Sequence, residues 1–406
     1  MPHVVAGLAT VDSITNPDKM FENAGITNII AKVTRVDTGK KTVELSDGRS
    51  LPYDKIILGT GASPVVPSLP GVDLEGVFTL RDAVDAEKTR RFLEERKVKN
   101  IVCIGAGFIN IELAALLSET TQGRYNTTVI EFLGHPLPFM LDAEMAVKIQ
   151  DCLTEKGFNL MMGHKVTGIL GRDGLVSGVE LETGEVIDAD MVMLSVGARP
   201  NLELAEGMKL EMGRFGIKVN QFLETSNPDV LAAGDCVEKI HFVTKQPAPS
   251  QLRGPAVIQG RLAAKRLAGY SIEFQGVLNN SVAKLFDKYV AATGLTEEQA
   301  QREGFETVSA MVDSRSKHGM IPGMKPWTLK MVFDKNTQKV IGGQIVSDEL
   351  GPAKEIDAVN ALIWGEKTIP EITTLMCAGN PDCSSEPSLE PITICAEQAL
   401  QKLKKK

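Results

Sequence analysis

The chain alternates short apolar runs with longer stretches whose apolar positions recur at the helical period. The clearest junction lies at 99–117. An unbroken apolar run at 101–104 has the length of one buried parallel strand, and a strongly apolar stretch from 108 to about 118 has that of a helix. Between them stand Gly105 and Gly107. Further on, 127–131 reads as the next strand, closing on Glu131, and 142–156 as an amphipathic helix stopped by Gly157. Two β-type segments at 166–170 and 176–181 and a strand at 191–196 complete an α/β unit that opens with a polar-faced helix at 81–95.

On either side the pattern changes. Residues 17–30 predict a helix capped by Asn16, with Pro17 at its first position, that runs into a strand. Strands at 30–36, 41–45 and 55–58 predict a small β-meander turning at Gly39 and at Gly48. Gly59, Gly61, Pro64, Pro67, Pro70 and Gly71 then make a connection that reads as a domain crossing, and a second crossing runs over 197–201. After it come short strands at 217–220 and 230–233 and a long helix at 254–268. From 277 strands are expected at 282–286 and 289–293, a short helix at 296–304, a hairpin of 329–334 with 340–346, and closing helices at 353–365 and 392–403. No internal repeat or low-complexity tract stands out.

A length of 406 residues fits two or three domains, and 43% hydrophobic with 24% charged residues is ordinary for a globular protein. The net charge of −8 argues against a nucleic-acid or anionic-membrane surface. The basic run at 402–406 suits a solvated helix end. No apolar run approaches the ~18 residues of a membrane span, and no signal-peptide pattern is evident. Six cysteines without a dense framework point to a reducing cytoplasm.

Strand, glycine turn and helix at 101–118 are in the order a dinucleotide site needs. Gly105 permits the tight turn. Gly107 has no Cβ, so a pyrophosphate can approach the backbone, and the helix N-terminus offers free N–H groups and partial positive charge. The third position of the motif is Asn110 rather than Gly or Ala, which loosens the fit between helix and strand. Glu131, 21 residues after Asn110, can accept hydrogen bonds from an adenosine ribose and repel a 2′-phosphate, and no Arg or Lys follows it at 132–135. NAD is therefore favoured over NADP. The bland alternative is a βαβ crossover with glycines in its turn.

The order of Thr60, Gly61 and Ala62, then Gly105 and Gly107, then 197–200, then 232–235 resembles the pyridine nucleotide–disulfide oxidoreductases. The tail, with 291–295, 329–334 and 342–344, looks like the branch that holds coenzyme A-disulfide reductases, polysulfide reductases and NADH oxidases. This resemblance covers nearly the whole chain. It implies two Rossmann-like FAD- and NAD(P)-binding domains plus a C-terminal α+β dimerisation domain. The expected division is 1–76 and 201–274 for FAD, 77–200 for NAD and 275–406 for a homodimer interface. In that family a strand, a glycine-rich turn, a helix and a redox cysteine precede a segment like 1–7. The FAD domain is thus expected to be N-terminally incomplete here, with the cysteine falling ahead of Met1. The implied activity is hydride transfer from NADH through FAD to a disulfide, polysulfide or persulfide, or to dioxygen. A catalytically silent NAD-binding subunit, or one half of a split flavoenzyme, is the alternative.

The same resemblance assigns Gly105, Gly107, Phe108, Ile109, Glu112, Glu131 and Gly197 to NAD, and Thr60, Gly61, Ala62, Gly234 and Asp235 to FAD. Read alone, Asp235 is a helix N-cap after a buried strand, and Glu112 a solvated helix glutamate. Cys103 and Cys152 read as structural, and the resemblance implies no redox role for Cys236. Cys377 and Cys383 have no metal spacing, and Gly379, Cys383, Met320 and Ile321 stand where relatives carry aromatic hydroxyls. Cys383 is either a substrate-facing thiol in a dimer or a free surface thiol. His3 would lie beside the expected cysteine and the flavin, or is a plain surface histidine. None of the five histidines pairs at a metal spacing, so no metal is expected.

Overall fold

The computed structural model describes residues 1–405. The chain divides into two compact units, one of residues 1–9, 66–196 and 278 onward, the other of residues 10–65 and 197–277.

The first unit holds a five-stranded parallel sheet in the order Val77–Phe78, Met191–Leu194, Asn100–Ile104, Asn126–Glu131, Asn159–Met162. Its middle strands are apolar on both faces, as a sheet covered on both sides requires. Ile101, Val102, Cys103 and Ile104 are all buried, and so are Met191 to Leu194 opposite them. The helix Phe108–Thr121 makes the crossover between Asn100–Ile104 and Asn126–Glu131. An antiparallel meander of Val166–Arg172, Leu175–Leu181 and Val186–Asp188 shares one apolar cluster with the sheet, including Ile104, Ile130, Ile169, Val179 and Leu194. The opening of the chain is a short helix, Pro2–Val5, whose Val4 and Val5 are buried. It packs on the helices Ala83–Glu95 and Phe108–Thr121.

The remainder of this unit is a five-stranded antiparallel sheet in the order Ser281–Leu285, Lys288–Gly294, Val340–Ser347, Pro326–Asp334, Thr307–Arg315. The helices Ile356–Trp364 and Pro391–Lys404 pack on it. The edge strand Thr307–Arg315 was not expected. Its signal was present, since Val308, Ala310 and Val312 alternate with polar or exposed neighbours and all three are buried.

The second unit departs further from the expected elements. Helix forms at Val11–Ile14 and at Lys19–Asn23, and only the second of these lies in 17–30, which was expected to be helical. Gly25, at φ +68°, ends the second of these with a left-handed turn, and Ile26 and Ile30 are left exposed. The meander exists, but its third strand is Ser50–Pro52. The run expected to complete it, Ile56–Leu58, pairs parallel with Val230–Ala232. Only isolated bridges occur at Ile217, where a strand was expected. Leu58, Val230, Ala232, Cys236 and Val237 share one core with Val36, Ala205, Met208 and Ile217. A helix, Arg253–Leu267, and a hairpin of Lys239–Ile240 with Pro247–Ala248 complete the unit.

Candidate cofactor sites

In the first unit the strand Asn100–Ile104 delivers the chain into Gly105 at φ +93°. A Cβ there would stand 2.4 Å from the Ser195 carbonyl oxygen, so only glycine fits. Gly107 is the N-cap of the helix Phe108–Thr121 and supplies no side-chain cap. A Cβ on Gly107 would meet nothing within 4 Å. The backbone is therefore open at the point where a helix N-terminus concentrates unpaired N–H groups and partial positive charge.

Glu131, at the end of the neighbouring strand, reaches back to this turn. Its Oε2 accepts the Ala106 N–H at 2.7 Å and its Oε1 the Leu133 N–H at 2.9 Å. Asn110 does not loosen the turn as its size suggested. It is fully buried, and its Nδ2 donates to the carbonyls of Ile104 at 3.0 Å, Gly105 at 2.9 Å and Met193 at 3.3 Å. The amide replaces the close helix–strand contact of a glycine with a polar strap across two strands. Gly105 and Ala106 share a peptide that is held on one side by Asn110 and on the other by Glu131.

Phe108 is exposed and Ile109 half-buried at the start of the helix. Glu112, one turn on, is half-buried. Burial raises its carboxyl above the usual range, and His3 and the chain's amino terminus pull it partly back. The fold thus brings His3 and Glu112, two residues singled out separately, into one electrostatic neighbourhood.

In the second unit Thr60, Gly61 and Ala62 are tied to the segment that opens with Gly197. Thr60 Oγ1 donates to the Asn201 carbonyl at 2.7 Å, and Asn201 returns Nδ2 to the Thr60 carbonyl at 2.9 Å. Asn201 N–H donates to the Gly61 carbonyl at 3.0 Å, and Ala62–Pro64 pairs antiparallel with Ala198–Pro200. Gly61 at φ +67° and Gly197 at φ +117° take left-handed conformations. Gly197 belongs to this unit, whereas the other residues matched to NAD lie in the first.

Gly234, at φ +88°, ends the strand Val230–Ala232, and half-buried Asp235 follows it. No helix begins at Asp235. The chain turns over 234–237 instead, so the N-cap reading of this aspartate fails. Gly234 N–H donates to Gln259 Oε1 at 2.9 Å, and its carbonyl accepts from Lys239 Nζ at 2.7 Å. Gln259 and Lys239 are both 1% exposed. Neither was singled out from the sequence, because only the fold carries them to Gly234.

The cysteines sort by burial. Cys103, Cys152, Cys236 and Cys395 are buried, Cys377 and Cys383 exposed. Burial pushes the Cys103 thiol up to about 12. Burial and the Glu390 carboxylate push that of Cys377 up to about 11. Cys383 sits in the turn at 381–383. The carboxylates of Asp142, Glu144 and Glu297 converge, but an ammonium occupies their centre. Lys330 Nζ lies 2.8 Å from Asp142 Oδ2 and 2.8 Å from Glu297 Oε2, and also bonds Glu144.

Strand, glycine turn and uncapped helix define an α/β protein with a dinucleotide-type turn. Residues 3–252 match the family model described as pyridine nucleotide-disulphide oxidoreductase, and residues 281–389 match the dimerisation domain of the same family. The chain is 33% identical over 414 residues to an NADH oxidase of Methanocaldococcus jannaschii, covering all of this chain and 90% of that one. It is 34% identical over 373 residues to a CoA-dependent NAD(P)H sulfur oxidoreductase of Pyrococcus abyssi, covering 91% of this chain and 82% of that one. Among solved structures, the NAD-dependent persulfide reductase of A. fulgidus superposes with a TM-score of 0.93 at 31% identity, covering 99% of this chain and 75% of that one. The chain belongs to the pyridine nucleotide–disulphide oxidoreductase family, FAD- and NAD(H)-dependent enzymes. Among the described residues no helix is long and apolar enough to cross a membrane.

Proposed function

We propose that this chain oxidises NADH and passes the two electrons to a sulfur–sulfur bond, in a disulfide, polysulfide or persulfide, or to dioxygen. The observation that carries the reading is the turn at Gly105–Gly107. One glycine there can bear no Cβ, and the other leaves the mouth of an uncapped helix open. Bound FAD supplies the hydride-accepting and electron-donating chemistry. The chain's residues bind and orient.

Gly105, Gly107 and the first turn of the helix receive the NADH pyrophosphate. Glu131 receives the adenosine ribose. A carboxylate offers about four acceptor positions, and the N–H groups of Ala106 and Leu133 occupy two of them. Phe108, Ile109 and Glu112 lie toward the nicotinamide, and Gly197 belongs to the same set. Thr60, Gly61, Ala62, Gly234 and Asp235 contact FAD. The left-handed conformations of Gly61 and Gly234 fit this role, since a residue without a side chain leaves its backbone bare for a ligand to approach. His3 and Cys383 are the candidates among these residues for a part in the reaction itself.

The corresponding division is 1–76 and 201–274 for FAD, 77–200 for NAD, and 275–406 for assembly of a homodimer in the cytoplasm. The match of 281–389 to the family's dimerisation domain supports the last of these. The test follows NADH absorbance with FAD-loaded protein and one acceptor at a time: polysulfide, coenzyme A disulfide, then dioxygen. Acceptor-dependent loss of NADH is expected with at least one. NADH that binds and is never oxidised would instead mark a catalytically silent NAD-binding subunit.

A further inference from the structure

Lys239 is a buried ammonium that the hydride path leaves unused. It lies on the short strand Lys239–Ile240, is 1% exposed, and donates through Nζ to the Gly234 carbonyl at 2.7 Å and the Val237 carbonyl at 3.4 Å. Burying a charge is costly unless something specific compensates it. Satisfying Gly234 does not require it. The Val237 N–H already donates to the same carbonyl at 3.2 Å, in an ordinary turn. At Gly234 the ammonium is therefore a second donor, beside its longer bond to the Val237 carbonyl.

That glycine is also held from its other side. Gln259, on the helix Arg253–Leu267, accepts the Gly234 N–H. The first turns of this helix reach the glycine itself, since a Cβ on Gly234 would stand 3.8 Å from the Ala256 Cβ. A peptide group is planar and trans, so fixing the Gly234 carbonyl also fixes the direction of the Asp235 N–H, opposite to Lys239. Burial draws Lys239 below the usual lysine range, and the field of Asp235 opposes that.

We infer that Lys239 is a positioning residue for the flavin. Its ammonium locks the Gly234–Asp235 peptide and sets a buried positive charge behind the turn that receives the phosphate-bearing part of FAD. The inference rests on the reading of Gly234 and Asp235 as FAD contacts. Inside the fold such a charge acts over a longer range than it does in water.

The test compares wild type, Lys239→Met and Lys239→Arg, reading FAD affinity from flavin fluorescence and the melting temperature of the FAD-free chain. Removing the ammonium relieves the cost of burying its charge, and the Gly234 carbonyl keeps the Val237 N–H. K239M is therefore expected to melt no lower than wild type while binding FAD about tenfold more weakly. K239R, which keeps the charge, is expected to stay near wild-type affinity. Wild-type affinity in K239M overturns the inference, as does a loss that only follows a lowered melting temperature. An equal loss in K239R and K239M overturns the role of the charge. Wild type that takes up no FAD overturns the assignment of Gly234 and Asp235, and this inference with it. Normal FAD uptake by wild type and K239M alike removes Lys239 alone.

Discussion

The Glu131 carboxylate accepts the N–H of Ala106 at 2.7 Å. The residue proposed to read the adenosine ribose is thus bonded to the turn proposed to hold the pyrophosphate, and the two halves of NADH recognition are mechanically joined. Glu131→Ala is expected to weaken NADH binding about tenfold, the worth of a charge-assisted hydrogen bond. It is also expected to raise NADPH affinity relative to NADH, because a repelling charge is gone. Titrating both nucleotides by fluorescence checks this. An unchanged NADH-to-NADPH ratio would remove Glu131 from cofactor selection.

The two turn glycines are expected to fail in different ways. Gly105→Ala puts a Cβ 2.4 Å from the Ser195 carbonyl at a φ of +93°, so it is expected to lower the melting temperature sharply. Gly107→Ala meets nothing within 4 Å, at a φ of −70° that any residue adopts. Its stability is expected to stay within about 0.5 kcal/mol of wild type. NADH affinity is nonetheless expected to fall at least about tenfold, since the methyl stands where the pyrophosphate approaches. A G107A chain that binds NADH normally would contradict the placement of the cofactor.

Asn110→Ala removes the donor shared by Ile104, Gly105 and Met193. Ile104 keeps a backbone partner in Ser195 N–H at 3.0 Å. The cost is therefore expected to be that of one or two buried hydrogen bonds, about 1–3 kcal/mol. Urea unfolding monitored at the first unit measures it, and a loss below about 0.5 kcal/mol would mean that the strap carries no load.

Lys330, 2% exposed at its side chain, holds three carboxylates. Lys330→Met leaves them facing one another and is expected to cost about 3–5 kcal/mol. The pH dependence has two edges. Asp142 and Glu297 are held below their usual values against the opposing effect of burial, chiefly by hydrogen bonds from Lys330. Their contribution is present above the unfolded carboxylate values near about 4 and is lost as pH falls through the lower folded values. Lys330 is raised by its three partners against burial. Its contribution is full below the unfolded lysine value of about 10.4 and is lost only as pH rises through the higher folded one. The wild-type advantage over K330M is thus expected to be smallest at acid pH, where the mutant's crowded carboxylates take up protons, and full from about neutral pH to about pH 10. An advantage that fades near neutrality would contradict the cluster.

What was legible in the sequence was local. Gly105, Gly107 and Glu131 lie within one crossover, and strand, turn and acid follow each other in a fixed order along the chain. Ile56–Leu58 was placed in the wrong sheet because its partner, Val230–Ala232, lies far along the chain and no neighbouring residue announces it. Asn110 looked like a defect because the Met193 carbonyl that it reaches belongs to a strand more than eighty residues on. Lys239 was not singled out, because only the turn at 234–237 folds it back to Gly234. The strand Thr307–Arg315 is the opposite case, an alternation written plainly in the residues and passed over.

In the function proposed for it, this chain joins NADH oxidation to a bound flavin. The most direct measurement is the anaerobic visible spectrum of the purified protein after FAD is added, before and after one equivalent of NADH. A protein-bound flavin band is expected to bleach on NADH addition and to return when polysulfide or air is admitted. A flavin band that NADH leaves untouched, with NADH bound, would contradict it.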